Sequence, residues 1–225
     1  MRHPSVLLLL LFLVPGCGQG DPPAERDPVP DTGSAPRPAL QPARPRIVVL
    51  GDSLTAGLGL PADQAYPAVL QHKIDAAGLD YEVVNAGVSG DTTAGGLRRL
   101  EWALSGDVRV LIVALGANDG LRGLPVEEMK RNLSAIVSTA KGRGIAIILA
   151  GMESPPNFGP EYTDAFRQAY REVARRQNVP LIPFLLDGVA GDSRFNQGDG
   201  IHPNADGARR VADVVWRALE PMLRT

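Results

Sequence analysis

The sequence predicts an α/β fold: a three-layer α/β/α sandwich around a five-stranded, mostly parallel sheet. Two observations carry this, namely five short runs rich in Val, Ile and Leu without polar alternation, and segments of helical period between them. A strand covered by helices on both faces reads as an unbroken apolar run, whereas a strand with one wet face alternates. With 44% hydrophobic residues in 225, the chain can bury the core of one such domain and has little room for two.

In chain order, the expected strands are 47–50, 81–85, 108–115, 145–150 and 179–184. The clearest helix places Val126, Met129, Leu133, Ile136, Val137 and Ala140 at spacings of three and four, which makes one apolar stripe. The last segment repeats the device with Val211, Val214, Val215, Ala218, Leu219 and Met222. Strands alternating with helices argue for a parallel sheet, and ligands of such sheets bind beyond the carboxyl ends of the strands. No internal repeat is visible.

Ahead of this domain, expected over 46–225, lie two segments of other character. Arg2 and His3 precede nine unbroken apolar residues, 6–14, a run too short to span a bilayer but suited to a secretory signal. Val14-Pro15-Gly16-Cys17 follows and resembles the bacterial lipobox, which implies that residues 1–17 end at a lipid-attachment cysteine, Cys17. The alternative is an ordinary signal with an incidental cysteine. Residues 18–45 are rich in proline and poor in bulky apolar side chains, as expected of a semi-rigid, disordered tether. Gly18 after the cysteine resembles the outer-membrane sorting pattern of Gram-negative lipoproteins. The expectation is therefore an exported lipoprotein of the cell envelope, facing the periplasm if the envelope is of that type.

Composition excludes some partners. A net charge of −2 offers no basic face for phosphates, so nucleic acid is not expected. Cys17 is the single cysteine, and the three histidines, His3, His72 and His202, are too scattered for a zinc site of two or more at helical spacing. No metal or organic cofactor is implied.

The chemistry concentrates at the expected functional edge. Gly51-Asp52-Ser53-Leu54-Thr55 places a serine in the turn after the first strand, where its hydroxyl is exposed. By itself this suits a capping serine equally well, because serine needs a base to act. Asp199-Gly200-Ile201-His202-Pro203-Asn204 supplies one, since a carboxylate three residues from an imidazole can orient the ring and leave its other nitrogen for the serine proton. Gly87-Val88-Ser89-Gly90-Asp91 and Gly116-Ala117-Asn118-Asp119 follow the second and third strands. A glycine N–H and an asparagine amide are the donor types that build an oxyanion hole, although Gly, Asn and Asp also commonly terminate strands.

These four blocks, in this order, resemble the GDSL or SGNH hydrolase family over essentially everything from Ile47 onward, and imply its flavodoxin-like sandwich. The resemblance implies that Ser53 is the nucleophile, His202 the general base and then acid, and Asp199 its orienting partner. The Ser53 and Gly90 N–H groups and the Asn118 amide would hold the oxyanion. Gly-Val-Ser-Gly-Asp-Thr and Asp-Gly-Ile-His-Pro-Asn are most similar to the bacterial branch of thioesterases, lysophospholipases and arylesterases. The expected partner is then a small-molecule ester or thioester, lysophospholipid among them, with the membrane reached through the lipid anchor. The segment 151–159 is similar to a loop flanking the acyl site in that branch but departs from it in sequence, which leaves chain-length preference open.

Ser89 lies in an incomplete Gly-x-Ser-x-Gly elbow, with Asp91 where the last glycine belongs, and is rejected as nucleophile. His72 falls in the polar part of a helix and receives no role. Two other functions compete: a carbohydrate acetylesterase of the same fold, against which the five Phe and two Trp weigh mildly, and a non-enzymatic lipoprotein binding a phosphate-bearing ligand at the first strand-to-helix loop. The second leaves Asp199 and His202 without a purpose.

Overall fold

A computed structural model describes residues 44–224. The expected signal, Cys17 and nearly all of the proline-rich segment lie outside the described residues.

Five strands, β1 (Arg46–Gly51), β2 (Glu82–Gly87), β3 (Val108–Ala114), β4 (Ala146–Ala150) and β5 (Leu181–Ile182), form one sheet in the order β2-β1-β3-β4-β5, every pair parallel. The helices are α1 (Ser53–Ala56), α2 (Tyr66–Ala76), α3 (Thr93–Arg98), α4 (Leu100–Ala103), α5 (Ala117–Leu121), α6 (Val126–Gly142), α7 (Pro160–Gln177) and α8 (Ala205–Leu223). Packing of α2 on α8 makes one outer layer, and α3, α6 and α7 make the other. The three-layer expectation holds.

The burial of each strand follows its place in the sheet. From Ile47 onward β1 is buried throughout, and β3 and β4 are nearly so, because helices cover both faces. The edge strand β2 is mostly half-buried. The fifth strand is shorter than expected, two residues instead of six, because Pro180 and Pro183 bracket Leu181–Ile182 and can donate no ladder hydrogen bond. Met129, Leu133, Ile136, Val137 and Ala140 of α6 face inward as their spacing predicts. In α8 the stripe is Val211, Val214, Val215, Leu219 and Leu223, with Ala218 and Met222 only partly buried. Fully burying one such aliphatic side chain stabilises by about 1.5–3 kcal/mol, so these stripes fix the helices against the sheet.

Two buried hydroxyl contacts tie the core to the functional edge. The Tyr170 hydroxyl donates to the Leu115 carbonyl at 2.9 Å, and Tyr66 and Thr55 share a hydrogen bond of 2.8 Å beneath α1. The chain order reverses between β1 and β3, and the loops leaving these two strands carry Ser53 and Asn118. This is the crevice where open α/β sheets bind ligands.

Candidate active site

Ser53 stands at the first position of α1, immediately beyond β1. Asp52 caps that short helix by accepting from the Leu54 N–H at 3.0 Å. The α1 backbone lies directly on the end of β2: a Cβ at Gly87 would sit 2.3 Å from the Ala56 nitrogen, so glycine is required there. Close approach of β2 to α1 in turn brings the next loop, with Gly90, beside Ser53.

Ser53 and His202 are far apart in sequence but meet here, with Oγ 2.9 Å from Nε2. The other ring nitrogen, Nδ1, is 2.7 Å from Asp199 Oδ2. Asp199 Oδ1 accepts from the backbone N–H groups of His202 at 3.0 Å and Ile201 at 2.9 Å. The His202 N–H, the imidazole and the Ile201 N–H hold the Asp199 carboxyl well below the ordinary carboxylate range. A carboxylate can only accept, so Nδ1 carries a proton, and in the neutral ring Nε2 is then the acceptor facing the serine hydroxyl.

The segment carrying this pair is tied down on both sides. Asn204 caps α8 by accepting from the Gly207 N–H at 3.0 Å, and the Gln197 amide donates to the carbonyls of Leu58 at 2.7 Å and Pro203 at 3.0 Å. Gln197 thereby joins the serine loop to the histidine loop.

Gly90 occupies a tight turn closed by the Asp91 N–H on the Val88 carbonyl, with φ of +83° that suits glycine. The hydrogen bonds of this region leave the Ser53 and Gly90 N–H groups without a protein acceptor among the described residues. Asn118 also faces the crevice, but its amide nitrogen already donates to the Asp91 carbonyl at 2.9 Å and makes a long contact of 3.4 Å with Asp52 Oδ2. One of its hydrogens is firmly engaged; the other is weakly held.

Ser53, Gly90, Asn118 and His202 line a cleft of about 710 Å³, a size typical of small-molecule sites. Its walls are largely apolar, including Leu58, Leu121, Met152, Phe184, Leu186 and Ile201. Leu58, Leu121 and Ile201 are close to half exposed, and their grouping around this one cleft makes an apolar patch of the kind that marks a ligand-binding groove. Ser89 lines the cleft as well, yet no hydrogen bond joins it to His202. Glu153, Ser154, Pro155 and Pro156 form one rim, which places the segment 151–159 at the cleft as its resemblance implied.

The profile of the GDSL-like Lipase/Acylhydrolase family matches residues 49–210. The chain belongs to this family. Esterase TesA of Pseudomonas aeruginosa is 42% identical over 184 residues, spanning 81% of this chain and 92% of the relative. Thioesterase 1/protease 1/lysophospholipase L1 of Escherichia coli K12 is 37% identical, over 79% of this chain and 84% of its own. Among solved structures, the psychrotrophic esterase EstA from Pseudoalteromonas sp., described as inhibited by monoethylphosphonate, superposes with a TM-score of 0.76 at 34% identity, over 80% of this chain and 99% of that one. As a GDSL/SGNH member the chain is a carboxylic ester hydrolase.

Several residues of this GDSL site escaped the sequence reading. Asp52 is buried, and desolvation pushes its pKa up to about 6 against the opposing pull of the Leu54 N–H and of His202. Asp119, also buried and shifted upward by desolvation, accepts from the Thr93 N–H at 2.8 Å and hydroxyl at 2.6 Å, pinning the start of α3 to the Asn118 loop. Both lie inside motifs singled out beforehand, but nothing in their spacing distinguishes a buried carboxylate from a turn residue. Arg99 and Gln197 carry no local signal; each reads as a solvated polar residue.

Proposed function

We propose that this chain hydrolyses esters or thioesters of extended acyl chains through an acyl-enzyme on Ser53. The observation that carries the reading is the run from Ser53 Oγ through His202 to Asp199, at 2.9 and 2.7 Å, opening onto a largely apolar cleft.

Ser53 Oγ attacks the acyl carbonyl carbon while His202 Nε2 takes its proton, and Asp199 stabilises the imidazolium without itself being protonated. The developing oxyanion is received by the Ser53 and Gly90 N–H groups and by the weakly held hydrogen of Asn118. Cleavage of the carbonyl C–O or C–S bond follows, with His202 returning the proton to the leaving group. Water then attacks the Ser53 ester with His202 as base, releasing the acid and restoring the serine.

The apolar walls favour long acyl groups. Each buried methylene contributes about 0.8 kcal/mol, so kcat/KM should climb about fourfold per added methylene until the cleft is filled. The names of the relatives given above cover esterase, thioesterase and lysophospholipase activity, and an acyl-chain cleft serves all three. Hydrolysis of p-nitrophenyl esters from acetate to palmitate tests the proposal, with Ser53→Ala alongside. A Ser53-dependent optimum beyond butyrate supports it; a sharp optimum at acetate would favour the carbohydrate acetylesterase, and no activity from folded protein would favour the binding lipoprotein.

We further propose that acylated Cys17 anchors the enzyme in the cell envelope, its proline-rich segment spacing the domain from the membrane. Cys17→Ser protein that stayed membrane-bound at high salt would overturn the anchor.

A further inference from the structure

Arg99 lies between α3 and α4 with its side chain only 17% exposed, and its guanidinium is committed inward. Nε donates to Asp91 Oδ2 at 2.6 Å, Nη1 to the Ala86 carbonyl at 2.7 Å and Nη2 to the Gly51 carbonyl at 2.8 Å. Gly51 ends β1 and Ala86 is the penultimate residue of β2, while Asp91 follows Gly90 in the adjoining turn. A planar guanidinium presents its donors in a fixed fork, so one side chain sets the spacing of two strand ends and one loop.

These three acceptors flank the donors assigned to the oxyanion. The Gly51 carbonyl is two residues before Ser53. The Asp91 carboxylate belongs to the residue after Gly90, and the main-chain carbonyl of the same Asp91 holds the Asn118 amide at 2.9 Å. The Asp91 carboxylate is seated closely: a Cβ on Gly95 would fall 2.3 Å from its Oδ1. A donor set stabilises an oxyanion well only when it is aimed before the reaction, since reorienting it during the reaction costs part of the gain.

We propose that Arg99 is a positioning residue that presets the oxyanion hole by bracing the Ser53, Gly90 and Asn118 segments against one another. This rests on the assignment of those three donors above. Lysine at this position keeps the charge and can reach Asp91, but as a point charge it cannot hold three acceptors in one plane. The effect therefore belongs in the transition state and not in acyl-chain binding.

The test compares wild type, Arg99→Lys, Asp91→Asn and, as the control on the site itself, Ser53→Ala in the full chain. Measured are kcat and KM on p-nitrophenyl hexanoate, Ki for hexylboronic acid, whose tetrahedral adduct on Ser53 puts an oxygen in the hole, and Ki for hexanol, which occupies the acyl cleft. Loosening the donors without removing them should cost about 10- to 100-fold in kcat for Arg99→Lys, below the cost of deleting a donor outright. The boronate Ki should rise by a similar factor, while KM and the hexanol Ki stay within about twofold. Unchanged kcat, or boronate and hexanol Ki rising together, would show that Arg99 only supports the fold. Should Arg99→Lys not fold, Asp91→Asn, which weakens the ion pair but keeps the main-chain carbonyl, decides by the same ratio. Wild-type turnover that persists in Ser53→Ala would instead overturn the site assignment itself, a result separable from either Arg99 outcome.

Discussion

Replacing Asp52 by asparagine should make the protein more stable at neutral pH than at acid pH, relative to wild type. Asp52 is 1% exposed, and burial raises its pKa from the ordinary 3.8 to about 6. A carboxyl whose folded pKa is raised contributes fully below its unfolded pKa and loses that contribution as pH rises through the folded value. The affected window therefore runs from about pH 4 to above 6, and each pKa unit corresponds to about 1.36 kcal/mol, giving about 3 kcal/mol in all. An asparagine at this position has no charge to bury. Its amide faces the Asn118 amide in place of Oδ2, but that penalty is the same at every pH and cancels in the difference. Urea unfolding of both proteins at pH 4 and pH 7.5 measures the quantity, ideally in a His202→Gln background that removes the one histidine coupled to Asp52. The stability of Asp52→Asn minus that of wild type should grow by about 2.5 kcal/mol between the two pH values, because part of the effect is already present at pH 4; this is several degrees in Tm for a domain of this size. A difference flat to within about 0.5 kcal/mol would mean that Asp52 titrates normally and that its burial is not felt as charge desolvation.

Three further outcomes are expected. Asp199→Asn keeps an oxygen for the Ile201 and His202 N–H groups but turns an amide toward Nδ1, forcing the wrong tautomer; kcat should fall about 1,000- to 10,000-fold with circular dichroism unchanged. Asn118→Ala removes one oxyanion donor and should cost about 100- to 1,000-fold in kcat with little change in KM, measured on the same ester series. Gly207→Ala would bring a Cβ to 2.1 Å from the Phe195 carbonyl beneath the Asp199 segment, so α8 or that segment must shift; thermal unfolding should register a loss of about 1–3 kcal/mol.

Sheet, layers and helix faces were legible because periodicity reports burial directly, as the Val126 and Val211 stripes illustrate. Strand limits were less legible where proline intervenes: the apolar text from Val179 to Phe184 is continuous, but only Leu181 and Ile182 can pair between Pro180 and Pro183. At the site, Ser53, Asp199 and His202 were marked by residue types whose chemistry demands company, and the fold supplies it. Asp52 and Asp91 stood inside the sequence motifs without a role of their own, and Arg99 and Gln197 stood outside them. The importance of Arg99 and Gln197 lies in partners far along the chain, Gly51 and Leu58, and pairing at that distance leaves no periodic trace; that of Asp52 lies in its burial, which only the fold decides.

Fluorophosphonate labelling followed by peptide mass mapping reports whether His202 activates Ser53. One phosphonyl adduct is expected, on Ser53, absent in Ser53→Ala and slowed at least about 100-fold in His202→Ala. Label on Ser89 or another residue, or labelling of Ser53 at an undiminished rate without His202, would contradict that activation.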